Sequence, residues 1–383
     1  MTGRLLLAGV STRAAAESAA RAGFSVTALD AFGDLDQHPA VRALSLPHDF
    51  SARFTPAAAA RAAKAIECES VAYLSSFENH PRAVATLAAG RTLLGNTPQV
   101  LRQVRDPRLV ARVLRRHRIA GPAVRLDAPR RGHWLVKPLA SGGGRHVRTW
   151  TGGTRVPRGC YLQQLVEGTP ASVVFAAASG AAVPLGVARQ LCGDPAFGAT
   201  GFQYCGNILA PVRDAQFRDG ESLMRHAAAV AHLISDAFVL TGVNGVDVIA
   251  RDGVAYPIEV NPRWSASMEL IERAYGISVF GAHADACVHG TLPAFDMTRA
   301  QRRIEAHGKA VLFARGDVVI GDSRSWIDAG IRDVPHPGER IAAGRPVCTV
   351  FAAGRDAAAC YDALVRAANR VYATLARWER NVA

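Results

Sequence analysis

The chain has 383 residues, 49% of them apolar and 20% charged, with a formal net charge of +13. That length exceeds one compact core and predicts two to four structural units, and the composition excludes an intrinsically disordered chain. The first apolar run, residues 5–10, is too short for a secretory signal or a membrane span, so a soluble, cytoplasmic protein is expected.

The opening segment alternates strand and helix. RLLLAGV at 4–10 reads as a buried parallel strand, residues 12–23 as a helix ending on Gly23, and FSVTALDA at 24–31 as a second strand. VRALSL, the helix at 56–66 and SVAYLSS at 70–76 continue the alternation, which predicts an open parallel sheet. The first turn has Gly9 but no G-x-G-x-x-G, so a dinucleotide site is not expected. Asp30, Glu78 and Asn79 fall at strand ends and read as turn or cap residues. A single helix is predicted over 98–117, followed by a glycine-rich region of short strands that includes HWLVKP, RHVRTW and CYLQQLVEG. Longer strands and helices are expected to about residue 293. A strand at 309–314, a turn-rich stretch around HPG and a terminal helix over 356–378 complete the chain. The boundaries follow as 1–98, 99–166, 167–295 and 296–383.

Only three of the 45 basic residues are lysines: Lys64, Lys137 and Lys309. A lysine kept in an arginine-rich chain marks a place where a compact ammonium serves and a guanidinium does not, and this directs attention to Lys137. In WLVKPLASGGGRHV a strand presents Lys137, and Ser141, Gly142, Gly143 and Gly144 then turn the chain back. Consecutive glycines let backbone N–H groups approach an anion, so the segment reads as a phosphate-holding loop or a flexible hairpin tip. Seven dispersed cysteines without ligand spacing predict free thiols, with Cys205 the one candidate nucleophile. The arginines are dispersed and lack interleaved aromatics, so no nucleic-acid partner is expected.

The segment 245–263, GVDVIARDGVAYPIEVNPR, reads as a hairpin. Val246, Val248, Ala250, Tyr256, Ile258 and Val260 are all even-numbered, and they share one face if a three-residue loop, Arg251-Asp252-Gly253, closes the turn. Asp247, Glu259 and Asn261 then share the other face, as three oxygen ligands suited to Mg²⁺; a two-residue Asp-Gly turn would separate Asp247 from the other two. Arg263 follows directly.

Taken together, the lysine strand, glycine loop, QQLVEG and the Asp…Glu-x-Asn set resemble the ATP-grasp superfamily over most of residues 1–295. The resemblance implies an α/β and α+β multidomain protein, an ATP-grasp fold with an N-terminal Rossmann-like pre-grasp domain. It implies ATP and Mg²⁺ (or Mn²⁺) as cofactors. Lys137 and the glycine loop would hold the phosphates, Gln164 and the Val166 backbone the adenine, and Asp247, Glu259 and Asn261 the metal. Arg263 resembles the arginine that stabilises an acyl phosphate. Where the family often has a first lysine, this chain has Asp106-Pro107-Arg108, and Arg108 is expected to take its place. Catalytic roles are assigned to Lys137 and Arg263, in a ligase joining a small-molecule carboxylate to an amine. FQYCGNILAP and NPRWSASMELIERAYG further resemble a group linked to tetrahydromethanopterin and methanofuran pathways, which implies glutamate with tyramine or tyrosine. A carboxylase and a non-catalytic nucleotide- or polyanion-binding protein are the alternatives, and a homodimer is the default assembly.

Overall fold

The computed structural model describes residues 3–129 and 131–380. The N-terminal alternation folds into a parallel sheet of five strands, in the order Val41–Ser45, Ser25–Asp30, Arg4–Ala8, Ser70–Tyr73, Thr92–Leu93. The apolar run of the central strand is buried because helices cover both faces. A small antiparallel sheet holds Val124–Arg125, Cys160–Gln164, Trp134–Pro138 and Arg148–Thr149, in that order. These units match the expected parallel sheet and glycine-rich region.

The largest sheet has seven strands, from Val254–Asn261 and Gly242–Arg251 at one edge to Ala306–Phe313 and Pro346–Gly354 at the other. Its central strand Thr169–Ala178 shows how it is packed. Ala171, Val173, Phe175 and Ala177 face the helix Gly220–Phe238, whereas Val174 and Ala176 face the helix Ala266–Tyr275 and the N-terminal unit. The unbroken apolar run from Val173 to Ala178 is what a period of two gives when both faces are covered. The last two strands belong to this same sheet, under the terminal helix Ala357–Arg380. A boundary at 295 therefore cuts through a continuous sheet. No helix among the described residues is long and apolar enough to cross a membrane.

One contact between the N-terminal unit and the large sheet is pH-sensitive. His283 is buried, its Nδ1 accepting the Val243 N–H at 2.9 Å and its Nε2 lying 3.2 Å from the Leu94 carbonyl. The neutral ring with its proton on Nε2 satisfies both partners; a second proton would set donor against donor at Val243. Burial lowers the ring's pKa from 6.5 to about 4. The unfolded chain therefore binds the extra proton first. This contribution is complete above about pH 6.5 and is lost as pH falls towards 4, by at most roughly 3 kcal/mol. Urea unfolding of wild type and His283→Gln should show a stability gap that shrinks between about pH 7.5 and 5. A gap independent of pH would refute this role.

Candidate active site

Asp247, Glu259 and Asn261 do stand together, through a register other than the expected one. The turn has two residues, Asp252 and Gly253, with φ of 51° and 75°, and pairs Arg251 with Val254 and Val248 with Pro257. Continued unchanged, that register would place Glu259 on the opposite face from Asp247. A bulge at Ile258 adds one residue, so Asp247 pairs with Glu259 and Gly245 with Asn261. The shift also changes the buried face: Val246, Val248, Ala250 and Val260 are in the core as expected, but Ala255 and Pro257 take the places assigned to Tyr256 and Ile258. Ile258 has no ladder partner, and its carbonyl accepts from Lys137 Nζ at 3.3 Å and Gln163 Nε2 at 3.0 Å. Lys137, from the small sheet, is thus brought to the carboxylates.

Electrostatics separate the two acids. Burial first, and then the neighbouring Glu259 charge, push the Asp247 carboxyl up to about 6. Burial acts the same way on Glu259, but Arg105 and Lys137 outweigh it and hold its carboxyl below the ordinary value. Lys137 is lowered by burial, against the pull of Glu259 and Asp247. Asp247 also accepts from Gln190 Nε2 at 2.8 Å and Asn261 Nδ2 at 3.0 Å. Two partly buried carboxylates facing each other across the hairpin, one shifted up by burial and by the other's charge, fit a divalent cation. No three His, Cys, Asp or Glu side chains among the described residues form a metal cage. An ion here would draw further oxygens from a nucleotide, as Mg²⁺ commonly does.

Arg105 is the residue that sequence reasoning missed. The helix expected over 98–117 is two helices, Pro98–Val104 and Pro107–Arg116, because Asp106 caps the second and Pro107 occupies its first position. Arg105 lies at the break and turns inward. Its guanidinium donates to Glu259 Oε1 at 2.7 Å, the Val260 carbonyl at 2.8 Å, Asn79 Oδ1 and the Ser141 carbonyl. Arg108 is exposed and bound to Asp106 at 2.8 Å, outside the cavity lining, so the cation nearest the carboxylates from this segment is Arg105. The signal was present in the Asp-Pro pair, which starts a new helix and leaves the preceding residue at a corner.

The glycine loop is held on several sides. The Ser141 carbonyl takes Asn79 Nδ2 at 3.2 Å as well as Arg105, and the Gly143 carbonyl accepts the Tyr204 N–H at 3.0 Å. Gly143 and Gly144 line the cavity; Gly142 does not. Gly144 has φ of 71°, and a Cβ there would lie 1.8 Å from the Phe202 carbonyl oxygen. Gly144→Ala should therefore displace the loop at a cost of about 1–2 kcal/mol in backbone conformation alone, seen as at least roughly a tenfold weaker affinity for Mg-ATP. An unchanged affinity would sink the loop's assignment to phosphates.

Gln164, Leu165, Val166 and Glu167 line the same cavity, of about 820 Å³. The Gln164 N–H donates to the Ala123 carbonyl at 2.8 Å, which joins this strand to the edge strand of the small sheet. Arg263 donates to the buried Glu78 at 2.7 Å and to the Trp264 carbonyl at 2.8 Å, while its Nε is buried without a partner. Lys309 lines the cavity too, bound to Glu269 at 2.7 Å. Ser265 and Ser267 also line it, their hydroxyls 3.1 Å apart. Cys205 is no nucleophile by these criteria: it is buried, and burial pushes its thiol up to about 11.

This cavity sits among folds already known. No curated protein sequence matches the chain, but residues 104–267 match the family described as ATP-grasp domain. An L-amino acid ligase from Bacillus licheniformis superposes with a TM-score of 0.67 at 15% identity, over 96% of this chain and 97% of that one. N5-carboxyaminoimidazole ribonucleotide synthetase from Thermotoga maritima gives 0.64 at 15% identity, over 96% and 98%. The biotin carboxylase domain of Hydrogenobacter thermophilus 2-oxoglutarate carboxylase, solved with MgADP and bicarbonate, gives 0.65 at 12% identity, over 92% and 86%. With parallel N-terminal sheet, glycine-loop sheet and large antiparallel sheet in place around one cavity, the chain has the ATP-grasp fold, and residues 104–267 are the part that matches the ATP-grasp domain model.

Proposed function

We propose that this protein is an ADP-forming carboxylate–amine ligase. The observation that carries the reading is the convergence of Asp247, Glu259, Asn261, Lys137 and the glycine loop on one cavity, which also contains a second set of charged side chains. Bound Mg²⁺, held by Asp247, Glu259 and Asn261, would supply charge neutralisation on the phosphates. Lys137 and the loop N–H groups hold the nucleotide's phosphates, and Gln164 and the Val166 backbone hold its base. A substrate carboxylate oxygen attacks the γ-phosphorus and ADP leaves; an amine then attacks the acyl carbon, and phosphate departs as the amine's proton is lost. Positioning and preorganised charge carry most of this chemistry. Arg263, which lines the cavity with its Nη2 3.4 Å from Asn261 Oδ1, would hold the carboxylate or the acyl oxygen.

The finer reading is ligation of glutamate to tyramine or tyrosine in assembling a methanofuran-type cofactor, supported by the likeness of residues 202–211 and 261–276. The test is ADP and phosphate release from Mg-ATP with a panel of acid–amine pairs that includes these. One pair giving ADP, with EDTA abolishing it, supports the ligase. Bound Mg-ATP without turnover on any pair leaves the nucleotide-binding reading in its place. Carboxylases superpose as well as the ligase does, so bicarbonate as the activated acid is the second reading. Incorporation of labelled bicarbonate into product, without any added carboxylate, would favour it.

A further inference from the structure

The second charged cluster in the cavity joins the N-terminal unit, the helix Ala266–Tyr275 and the last 85 or so residues. Arg13 is fully buried and ion-paired to Glu269 at 2.8 Å, Asp333 at 2.8 Å and Asp36 at 3.4 Å. Each of these carboxylates has further partners. Glu269 takes Lys309, Asp333 takes the Thr349 hydroxyl, and Asp36 takes the N–H groups of Asp333 and Val334. Asp34 is different. It lines the cavity with 7% of its surface exposed, and its Oδ2 is buried without a hydrogen-bond partner.

An unpaired buried carboxylate is costly, and it either takes up a proton or finds a cation. Burial, and then Asp333, Asp30 and Asp36, push the Asp34 carboxyl well above the ordinary range, against the pull of Arg13. Nearby Asp30 is already satisfied by Thr12 and by the N–H groups of Phe32 and Gly33. The buried cations Arg13 and Lys309 are engaged by the other acids. Five carboxylates, Glu17, Asp34, Asp36, Glu269 and Asp333, thus stand against three cations, Arg13, Lys309 and the partly exposed Arg273, and Asp34, the one without a partner, lines the space a substrate would fill.

We propose that Asp34, which lines the cavity without a hydrogen-bond partner at Oδ2, binds the protonated amino group of an organic substrate. The inference rests on the ligase reading, which places a substrate in this cavity. An ammonium has no free lone pair, so the group held at Asp34 is a recognition handle and not the attacking amine. The substrate it marks carries its reacting carboxylate or amine elsewhere in the molecule, as an amino acid or a diamine does.

The test uses the full chain with n-butylammonium chloride and its neutral counterpart n-butanol, both titrated by ligand-observed NMR. Mg-ATP affinity is measured in parallel by displacement of a fluorescent ATP analogue. Butylammonium should bind at least about tenfold more tightly than butanol to wild type, and Asp34→Asn should erase that preference. Mg-ATP affinity should stay within about twofold between the two proteins. Equal binding of butanol and butylammonium to wild type overturns the proposal, and needs no variant to fold. A preference that survives in folded Asp34→Asn overturns it as well. If either result comes with intact Mg-ATP binding, only the ammonium site falls; failure of wild type to bind Mg-ATP removes the ligase reading and this inference together.

Discussion

Replacing Glu259 by glutamine is expected to cut ADP formation by roughly a thousandfold or more, about 4 kcal/mol in transition-state stabilisation, with the fold retained. The amide keeps the shape and can still accept from Arg105, whose other contacts to Val260, Asn79 and Ser141 are untouched. What it loses is the negative charge that, with Asp247, would attract a divalent cation. Turnover should fall without loss of cooperative unfolding, and added Mg²⁺ or Mn²⁺ should restore little of it. A variant within about tenfold of wild type would remove Glu259 from the metal site. Arg105→Lys makes a useful companion: a lysine cannot reach Glu259, Asn79 and Ser141 at once, so glycine-loop order and turnover should decline together.

Arg13→Met should produce the largest loss of stability, about 3–5 kcal/mol near neutral pH. The side chain is nearly isosteric in length, so the loss comes from the buried carboxylates of Asp36 and Glu269 and the partly exposed Asp333 losing their common cation. Burial alone would raise Glu269, but Arg13, followed by Lys309 and Arg273, holds it well below its ordinary value. Asp333 is lowered in the same way, chiefly by Arg13 against burial. A carboxylate with a depressed folded pKa stabilises the protein above its unfolded pKa and loses that contribution as pH falls. The gap between wild type and variant should therefore be full above about pH 5 and narrow below the unfolded values of 4.5 and 3.8. Urea unfolding at several pH values measures it; a gap that widens on acidification would contradict the assignment.

The parts of the site that the sequence disclosed are those whose chemistry is local. Lys137 with three glycines after it, and Asp247, Glu259 and Asn261 within one hairpin, are spaced closely enough for composition and strand period to show. The register that joins them was not legible, because two departures add: the two-residue turn shifts the pairing by one, and the bulge at Ile258 shifts it by one more in the same direction, which restores the shared face but sets Asp247 opposite Glu259 instead of Pro257. Glu78 and Asn79 read as turn residues, since nothing near them reveals that Arg263 and Arg105 come to meet them. Arg13 and Asp333 are 320 positions apart, and no local pattern records such a pairing. The N-terminal sheet was plain from alternation alone. The strand at 309–314 was legible as a strand, but its place and that of Pro346–Gly354 in the large sheet were not, because joining it depends on the edge offered by Tyr204–Leu209, about a hundred residues earlier.

The region matching the ATP-grasp family, 104–267, contributes Lys137, Gly143, Gly144, Asp247, Glu259 and Asn261 to the cavity, whereas Arg13, Asp34, Glu269, Lys309, Asp333 and Thr349 all lie outside it. The cavity is thus assembled from two parts of the chain, one inside the family match and one outside it. If the proposed ligase function holds, exchange of the flanking segments is expected to change which acid or amine is accepted and to leave Mg-ATP affinity unchanged. Libraries confined to residues 11–36 and 309–349 are the economical route to altered selectivity.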